Sequence, residues 1–569
     1  MNGEWQARTL REMLEASVAA RRAHEALVTE RMRLSYADIH RKSLDMAKSL
    51  HAMGIRKGDH IGILMGNHAA WVALFFGAAF IGAVTVPVNT RFKSSELAYC
   101  LRQADVKALF VEDGFLNISF VSFLREVEPA VDRVLPGSAL TLLDHVVVMG
   151  ADVPPGAITW RAFRALGGDA DAAIIDAACA SVTAADPLLM QFTSGTTAYP
   201  KGVLLTHHNM LRNAYAVGLR MGVTADDRYF NCRPFYHVAG TTLSLLLSMT
   251  FGATLVTLPA FEAGAALRLL ADERCTLTSG NDTLFQLLMS HADFDPSRLH
   301  LRGGWAAAGP ATMRRIIDVM GMQSVCVAYG LSEASPNVVF SDHRDAEALR
   351  VNGLATPHAG VEVRIVDTAA AAANNAPLAP GAQGEIQVRG WNVMQGYYKN
   401  DEANAKAFTA DGWLRTGDLG TLDAQGRLSM VGRLKDVFRV GGENVAPAEV
   451  EEVLLAHAAV ATAQVVGVPD ARLGEVPAAY VTLNAGKHAD EEELIAWCKA
   501  RCANFRVPRH LKIVADFEAI GMTGSGKVQK VKLREHAIHE LGLHAGATPS
   551  AQTSPHAAPI SRPGGRGPG

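Results

Sequence analysis

From Tyr36 to Met53 the chain reads YADIHRKSLDMAKSLHAM, with apolar residues about 3.6 positions apart, and Gly54 closes the run. That spacing predicts an amphipathic helix. HIGILMGN (60–67) follows as a short apolar strand. The next stretch, Trp71 to Val88 (WVALFFGAAFIGAVTVPV), is long and uncharged enough to resemble a membrane span. Gly77, Gly82 and Pro87 interrupt it, and its second half turns β-branched, so it predicts a buried helix followed by a buried strand. No integral membrane segment is expected. Strand-like runs recur at VKALFV (106–111), HVVVMG (145–150), ATLVTL (253–258) and SVCVAYG (324–330). Strands separated by helical patterns predict an α/β fold built on a parallel sheet.

The texture changes twice. DTAAAAANNAPLAPGAQG (367–384) carries Asn, Pro and Gly in a pattern that predicts a turn-rich connection, with the short β-rich pieces GEIQVRG and GRLSMVGR after it. From about Arg433 a smaller unit begins, carrying VEEVLLAH, TAQVVGV, AAYVTLN and EEELIAWCKARC, which predicts a compact α+β domain. A chain of 569 residues is too long for one hydrophobic core. The expected organisation is a large multi-subdomain N-terminal α/β domain (1–432), a small mobile α+β C-terminal domain (433–544) and a Pro/Gly/Ser-rich disordered tail (545–569).

Composition narrows the function only by exclusion. With 49% apolar and 20% charged residues and a net charge of -3, nothing suggests nucleic acid or an acidic membrane surface as partner. Seven dispersed cysteines fit reduced thiols in a cytoplasmic setting better than a disulfide framework. Cys498 and Cys502 lie one helical turn apart without His or Cys companions, and are read as helix-face cysteines, not metal ligands.

The segment richest in chemistry is QFTSGTTAYPKGV (191–203). Apolar runs enter and leave a loop holding Thr193, Ser194, Gly195, Thr196, Thr197 and Lys201. Small residues let backbone N–H groups approach an anion, hydroxyls add donors, and the lysine adds charge. It is not a Walker A loop, since no Gly-Lys-Ser/Thr occurs.

This loop resembles the phosphate-binding signature of the acyl-adenylate-forming superfamily, the acyl-CoA synthetase or AMP-dependent synthetase and ligase family. Further segments match that family in order, from SYADI at Ser35 to GSGK at Lys527. The resemblance implies that Thr193 to Lys201 holds the β- and γ-phosphates of ATP, with Ala198 in place of the usual glycine. RPFYHVAG places His237 at an aromatic gate beside the acyl pocket. AAAGPA puts Ala308, Gly309 and Pro310 along the adenine and acyl sites. In AYGLSEASP, Tyr329 and Gly330 would face adenine, Ser332 the α-phosphate, and Glu333 would hold Mg²⁺ together with Thr196. Asp418, in GWLRTGDLG, would accept the ribose hydroxyls, and Arg433 would make a second ribose or phosphate contact. Lys435 would be the hinge, Gly441 and Gly442 would line the pantetheine tunnel, and Lys527 would be the mobile catalytic lysine.

On that resemblance the chain is expected to adenylate a small-molecule carboxylic acid with ATP and Mg²⁺ and to pass the acyl group to coenzyme A as co-substrate. Delivery to a carrier protein or another acceptor is the alternative. Val238 stands where amino-acid-activating relatives carry an Asp, which argues against an α-amino acid. Asn281 and Asp282 replace a common Val-Pro, which fits either a polar acid or a rearranged turn. Aromatic, medium-chain, long-chain and oxygenated acids stay open, as does the oligomeric state, a homodimer included.

Overall fold

The computed structural model describes residues 5–168, 170–193, 200–368, 376–484, 486–522 and 528–543. Ser194, Gly195, Thr196, Thr197 and Lys527 lie outside the described residues, as do most of the alanines of the 367–384 connection and the expected disordered tail.

The apolar run at Trp71 resolves as the helix Ala69–Phe80, buried from Trp71 onward, and the strand Val84–Pro87, buried throughout. Trp71, Phe75 and Phe76 are wholly inaccessible and pack on the helix Tyr36–Ala52, itself started by a Ser35–Asp38 capping box. Burying one such side chain contributes roughly 1.5–3 kcal/mol. That gain, and not a lipid phase, accounts for the uncharged stretch. Among the described residues no helix is long and apolar enough to cross a membrane.

The described strands form four sheets. One runs in the order Gly396–Tyr397, Lys201–Thr206, Pro187–Thr193, Val84–Pro87, His60–Leu64, Val106–Glu112, His145–Met149, Ile158–Thr159. A second contains Ser324–Gly330, Gly303–Ala307, Leu277–Asn281, Arg228–Asn231 and Thr254–Thr257 as successive parallel neighbours. The parallel expectation needs one amendment, because both sheets are mixed at an edge. Pro187–Thr193 pairs antiparallel with Lys201–Thr206, and Ser324–Gly330 pairs antiparallel with Asn337–Phe340. Short connections explain this, since a crossover to a parallel strand needs a dozen residues or more.

Val361–Val366, Gln383–Gly390, Leu414–Leu422 and Leu428–Arg433 make an antiparallel four-stranded sheet. The smaller C-terminal domain holds its own sheet, centred on the antiparallel pair Val460–Asp470 and Gly474–Leu483. Its helix Pro447–Leu455 packs against the helix Pro310–Asp318 of the large domain. Cys498 is buried there, and Cys502 Sγ donates to the Cys498 carbonyl at 2.9 Å, as helix-face cysteines do.

Candidate active site

In a parallel sheet, the loops beyond the carboxyl ends of the strands form the ligand crevice. Arg228–Asn231, Leu277–Asn281, Gly303–Ala307 and Ser324–Gly330 are parallel neighbours, so their carboxyl ends share one edge. Immediately beyond those ends come His237, Asp282, Ala308–Gly309–Pro310 and Ser332–Glu333. The sheet therefore collects on one rim the segments that are far apart in sequence.

Thr193 ends its strand directly opposite Lys201, so both feet of the phosphate-loop candidate are fixed by strand pairing. Lys201 Nζ lies 4.8 Å from the centre of the Tyr397 ring. The Tyr397 hydroxyl donates to Glu333 Oε1 at 2.8 Å. Burial, then the neighbouring Glu333 carboxylate, pushes the Tyr397 hydroxyl far above the ordinary phenol range, so it stays a donor at neutral pH. Glu333 sits in the turn Ser332–Ala334, whose Glu333 carbonyl also accepts from Met394 N at 2.9 Å. Gly330 before it admits no side chain, because a Cβ there would lie 2.0 Å from the Pro336 carbonyl oxygen.

A second cluster centres on the last two strands of the four-stranded sheet. Tyr329 Oη donates to Asp418 Oδ2 at 2.8 Å, and Arg433 Nε stands 3.4 Å from Asp418 Oδ1. Asp418 and Arg433 face each other across paired strands. Burial and the adjoining carboxylate raise the Tyr329 hydroxyl well above its usual pKa. Lys435 follows in the turn after Arg433; burial, aided by the Arg433 charge and opposed by Asp436 and Asp418, leaves its pKa lowered. Tyr329, expected at the adenine, is thus bonded to Asp418, the residue expected at the ribose.

Gly309 caps the helix Pro310–Asp318, and its N–H points at Asp282 Oδ1 at 3.4 Å. Burial pushes the Asp282 carboxyl up to about 6 against the pull of hydrogen bonds from Thr312 and Gly309, with Glu451 of the C-terminal domain adding like charge. An acid whose pKa is raised on folding costs stability as pH rises from its unfolded value, about 4, through 6. Asp282→Asn, which keeps the acceptor, should therefore gain melting temperature over the wild type progressively across pH 4–7. A constant difference across that range would refute this account.

His237 Nδ1 accepts from Ala239 N at 3.2 Å and starts the short helix Val238–Gly240. Gly441 and Gly442, with φ of +59° and +98°, make the two-residue turn between Phe438–Val440 and Glu443–Val445 in the C-terminal sheet. Sequence reasoning passed over Tyr397, which links Lys201 to Glu333. Only the pairing of Gly396–Tyr397 with Val203 and Leu204, across nearly two hundred positions, brings it there.

Residues 14–398 match the family described as AMP-binding enzyme, and residues 449–527 match the AMP-binding enzyme C-terminal domain. The mitochondrial medium-chain acyl-CoA ligase ACSF2 of Mus musculus is 35% identical over 552 residues, covering 94% of this chain and 88% of the relative. A CoA ligase of Rhodococcus jostii (strain RHA1), named for a 7a-methyl-1,5-dioxo-octahydroindenyl propanoyl group, is 37% identical over 512 residues, covering 89% and 94%. The crystal structure of the anthranilate CoA ligase AuaEII with anthranoyl-AMP superposes with a TM-score of 0.82 at 24% identity, covering 94% of this chain and 98% of that one. That last likeness concerns the fold.

Proposed function

The chain belongs to the AMP-binding enzyme family and is a carboxylic acid–CoA ligase of the AMP-forming kind, and on that premise we propose how its residues divide the work. The acid's carboxylate attacks the α-phosphorus of ATP, giving acyl-AMP and pyrophosphate. The thiol of coenzyme A then attacks the acyl carbon, giving the thioester, AMP and a proton.

The first step brings two anions together and spreads charge over phosphoryl oxygens, so fixed positive groups aimed at those oxygens are the main need. Lys201, Thr193 and the intervening Ser194, Gly195, Thr196 and Thr197 bind the β- and γ-phosphates. Ser332 meets the α-phosphate, Tyr329 and Gly330 with Ala308, Gly309 and Pro310 hold the adenine, and His237 borders the acid. Asp418 accepts the ribose hydroxyls; a carboxylate has about four acceptor sites, so this use is compatible with its bonds to Tyr329 and Arg433. Lys527 supplies the second mobile charge, and Gly441 and Gly442 meet the pantetheine arm. The domain boundary lies at 432/433 with its hinge at Lys435.

Magnesium fits the donors present. Glu333 offers a hard carboxylate held by Tyr397, and among the described residues no group of three ligands gathers, so Thr196, phosphate oxygens and water would complete the shell. The ion, when bound, would neutralise phosphate charge. A reducing, cytoplasmic setting is supported by the seven cysteines, all free thiols.

The contact chain Lys201–Tyr397–Glu333 is the observation that carries this division of work, because one ring spaces the phosphate-side cation from the metal-side carboxylate. A hydrogen bond to a charged group contributes about 1.5–3 kcal/mol, so Tyr397→Phe should cut kcat/KM for adenylation by roughly tenfold or more. Undiminished turnover in that variant would remove Tyr397 from the scheme. The ligase reading itself is tested by following AMP and pyrophosphate over a panel of acids, with and without CoA. Thioester should form only when ATP, acid and CoA are all present.

A further inference from the structure

Arg233 sits just beyond the carboxyl end of Arg228–Asn231, four residues before His237 and on the same sheet edge as the rest of the site. Its backbone is clamped from two sides. Asn67 Nδ2 and Asn231 Nδ2 donate to the Arg233 carbonyl at 2.7 and 2.8 Å, and Asn231 Oδ1 accepts from Arg233 N at 3.2 Å. Asn67 Oδ1 also accepts from Phe235 N at 2.7 Å, fixing the next turn of the loop. Both asparagines are buried.

The side chain is treated quite differently. The guanidinium lies 4.6 Å from the centre of the Trp305 ring, on the strand Gly303–Ala307, which stands one strand further along the sheet and leads into Ala308–Pro310. The residue keeps a little accessible surface, but Nε is sealed from solvent and has no hydrogen-bond partner. Among the described residues no carboxylate pairs with it, whereas Arg228 and Arg302 nearby are both held by carboxylates. Burial accordingly pulls the Arg233 pKa down. A half-buried guanidinium whose one partner among the described residues is an aromatic face leaves its planar fork of donors free for a ligand. Packing alone would be served as well by an apolar side chain at no desolvation cost.

We propose that Arg233 is a specificity residue of the acyl pocket, receiving an oxygen acceptor that the acid carries away from the carboxylate being adenylated. The preferred acids are then dicarboxylic or oxo acids, with the carboxylate favoured because it also neutralises the buried charge. A plain alkanoic acid of equal length would leave the fork unpaired, and sites built to hydrogen-bond a substrate discriminate strongly against analogues lacking the group. This inference rests on the ligase reading above.

The test compares octanoic, 7-oxooctanoic and octanedioic acids in the full-length protein, following AMP and acyl-CoA formation with ATP, Mg²⁺ and CoA. Wild-type kcat/KM should rank the diacid first and the plain acid last. In Arg233→Met the ratio of diacid to plain acid should fall by about 10²-fold, and Arg233→Lys, which keeps charge but not the fork, should fall between. An oxo acid ranking first would assign the site to neutral carbonyls within the same inference. A wild type that prefers the plain acid overturns the proposal even if the methionine variant does not fold, and so does a ratio untouched by substitution. Absence of AMP with every acid defeats the ligase reading, and this inference with it.

Discussion

Replacing Lys527 with alanine should slow acyl-AMP formation by about 10²–10³-fold, the usual effect of removing one charge stabiliser from a transition state. The assignment follows from the order of motifs and from what the neighbouring lysine is doing. Lys530, three residues on, is already committed: its Nζ bonds Glu451 and the Val465 carbonyl, the latter at 2.8 Å, inside the C-terminal domain. Residues Met522 and Val528, flanking the candidate, pair with each other as an isolated bridge. Lys530→Ala should accordingly lower thermal stability, whereas Lys527→Ala should leave it alone and strike adenylation. Pyrophosphate release at saturating acid and ATP reads the first step, and thioester formation from supplied acyl-AMP reads the second. The second should be far less affected. Normal pyrophosphate release in the Lys527 variant would remove that residue from the mechanism.

Lys435→Pro should abolish thioester formation while pyrophosphate release continues. Lys435 occupies the turn between Leu428–Arg433 of the four-stranded sheet and Phe438–Val440 of the C-terminal sheet. Around it, Leu434 N donates to Gly417 O, and the N–H groups of Asp436 and Val437 both donate to Arg433 O at 3.0 and 3.2 Å. Lys435 N itself makes no backbone hydrogen bond in this turn, so proline removes none there. It does fix φ near −65° and restricts Leu434 before it. If rotation at this point withdraws Lys527 and presents Gly441 and Gly442 to the thiol, a locked torsion blocks only the later state. Equal loss of both half-reactions would refute the hinge.

The sequence made the local elements and the motif order readable. Tyr36–Ala52, Ala69–Phe80, Val84–Pro87, Val106–Glu112 and Ser324–Gly330 all lie where periodicity and β-branching put them. The candidate residues could be named because short motifs carry their own chemistry. Partnerships across long separations could not be named. Tyr397 has no motif of its own and acquires its place through an edge pairing with Lys201–Thr206. Arg233 reads as an ordinary charged residue until Trp305, more than seventy positions later, is laid beneath it. The antiparallel edges were passed over although the short connections after Thr193 and Gly330 leave no room for a parallel crossover.

Lys201 starts a strand of one sheet and Glu333 lies in a turn between two strands of another, and the ring between them is carried by a strand of two residues at the margin of the first. Marginal strands with few pairings open at low free energy, long before the deeply packed layers behind them give way. On the roles proposed for Lys201 and Glu333, warming should therefore loosen the spacing between cation and acid while the core is still intact, and the grip on triphosphate should fail in a protein that is still folded.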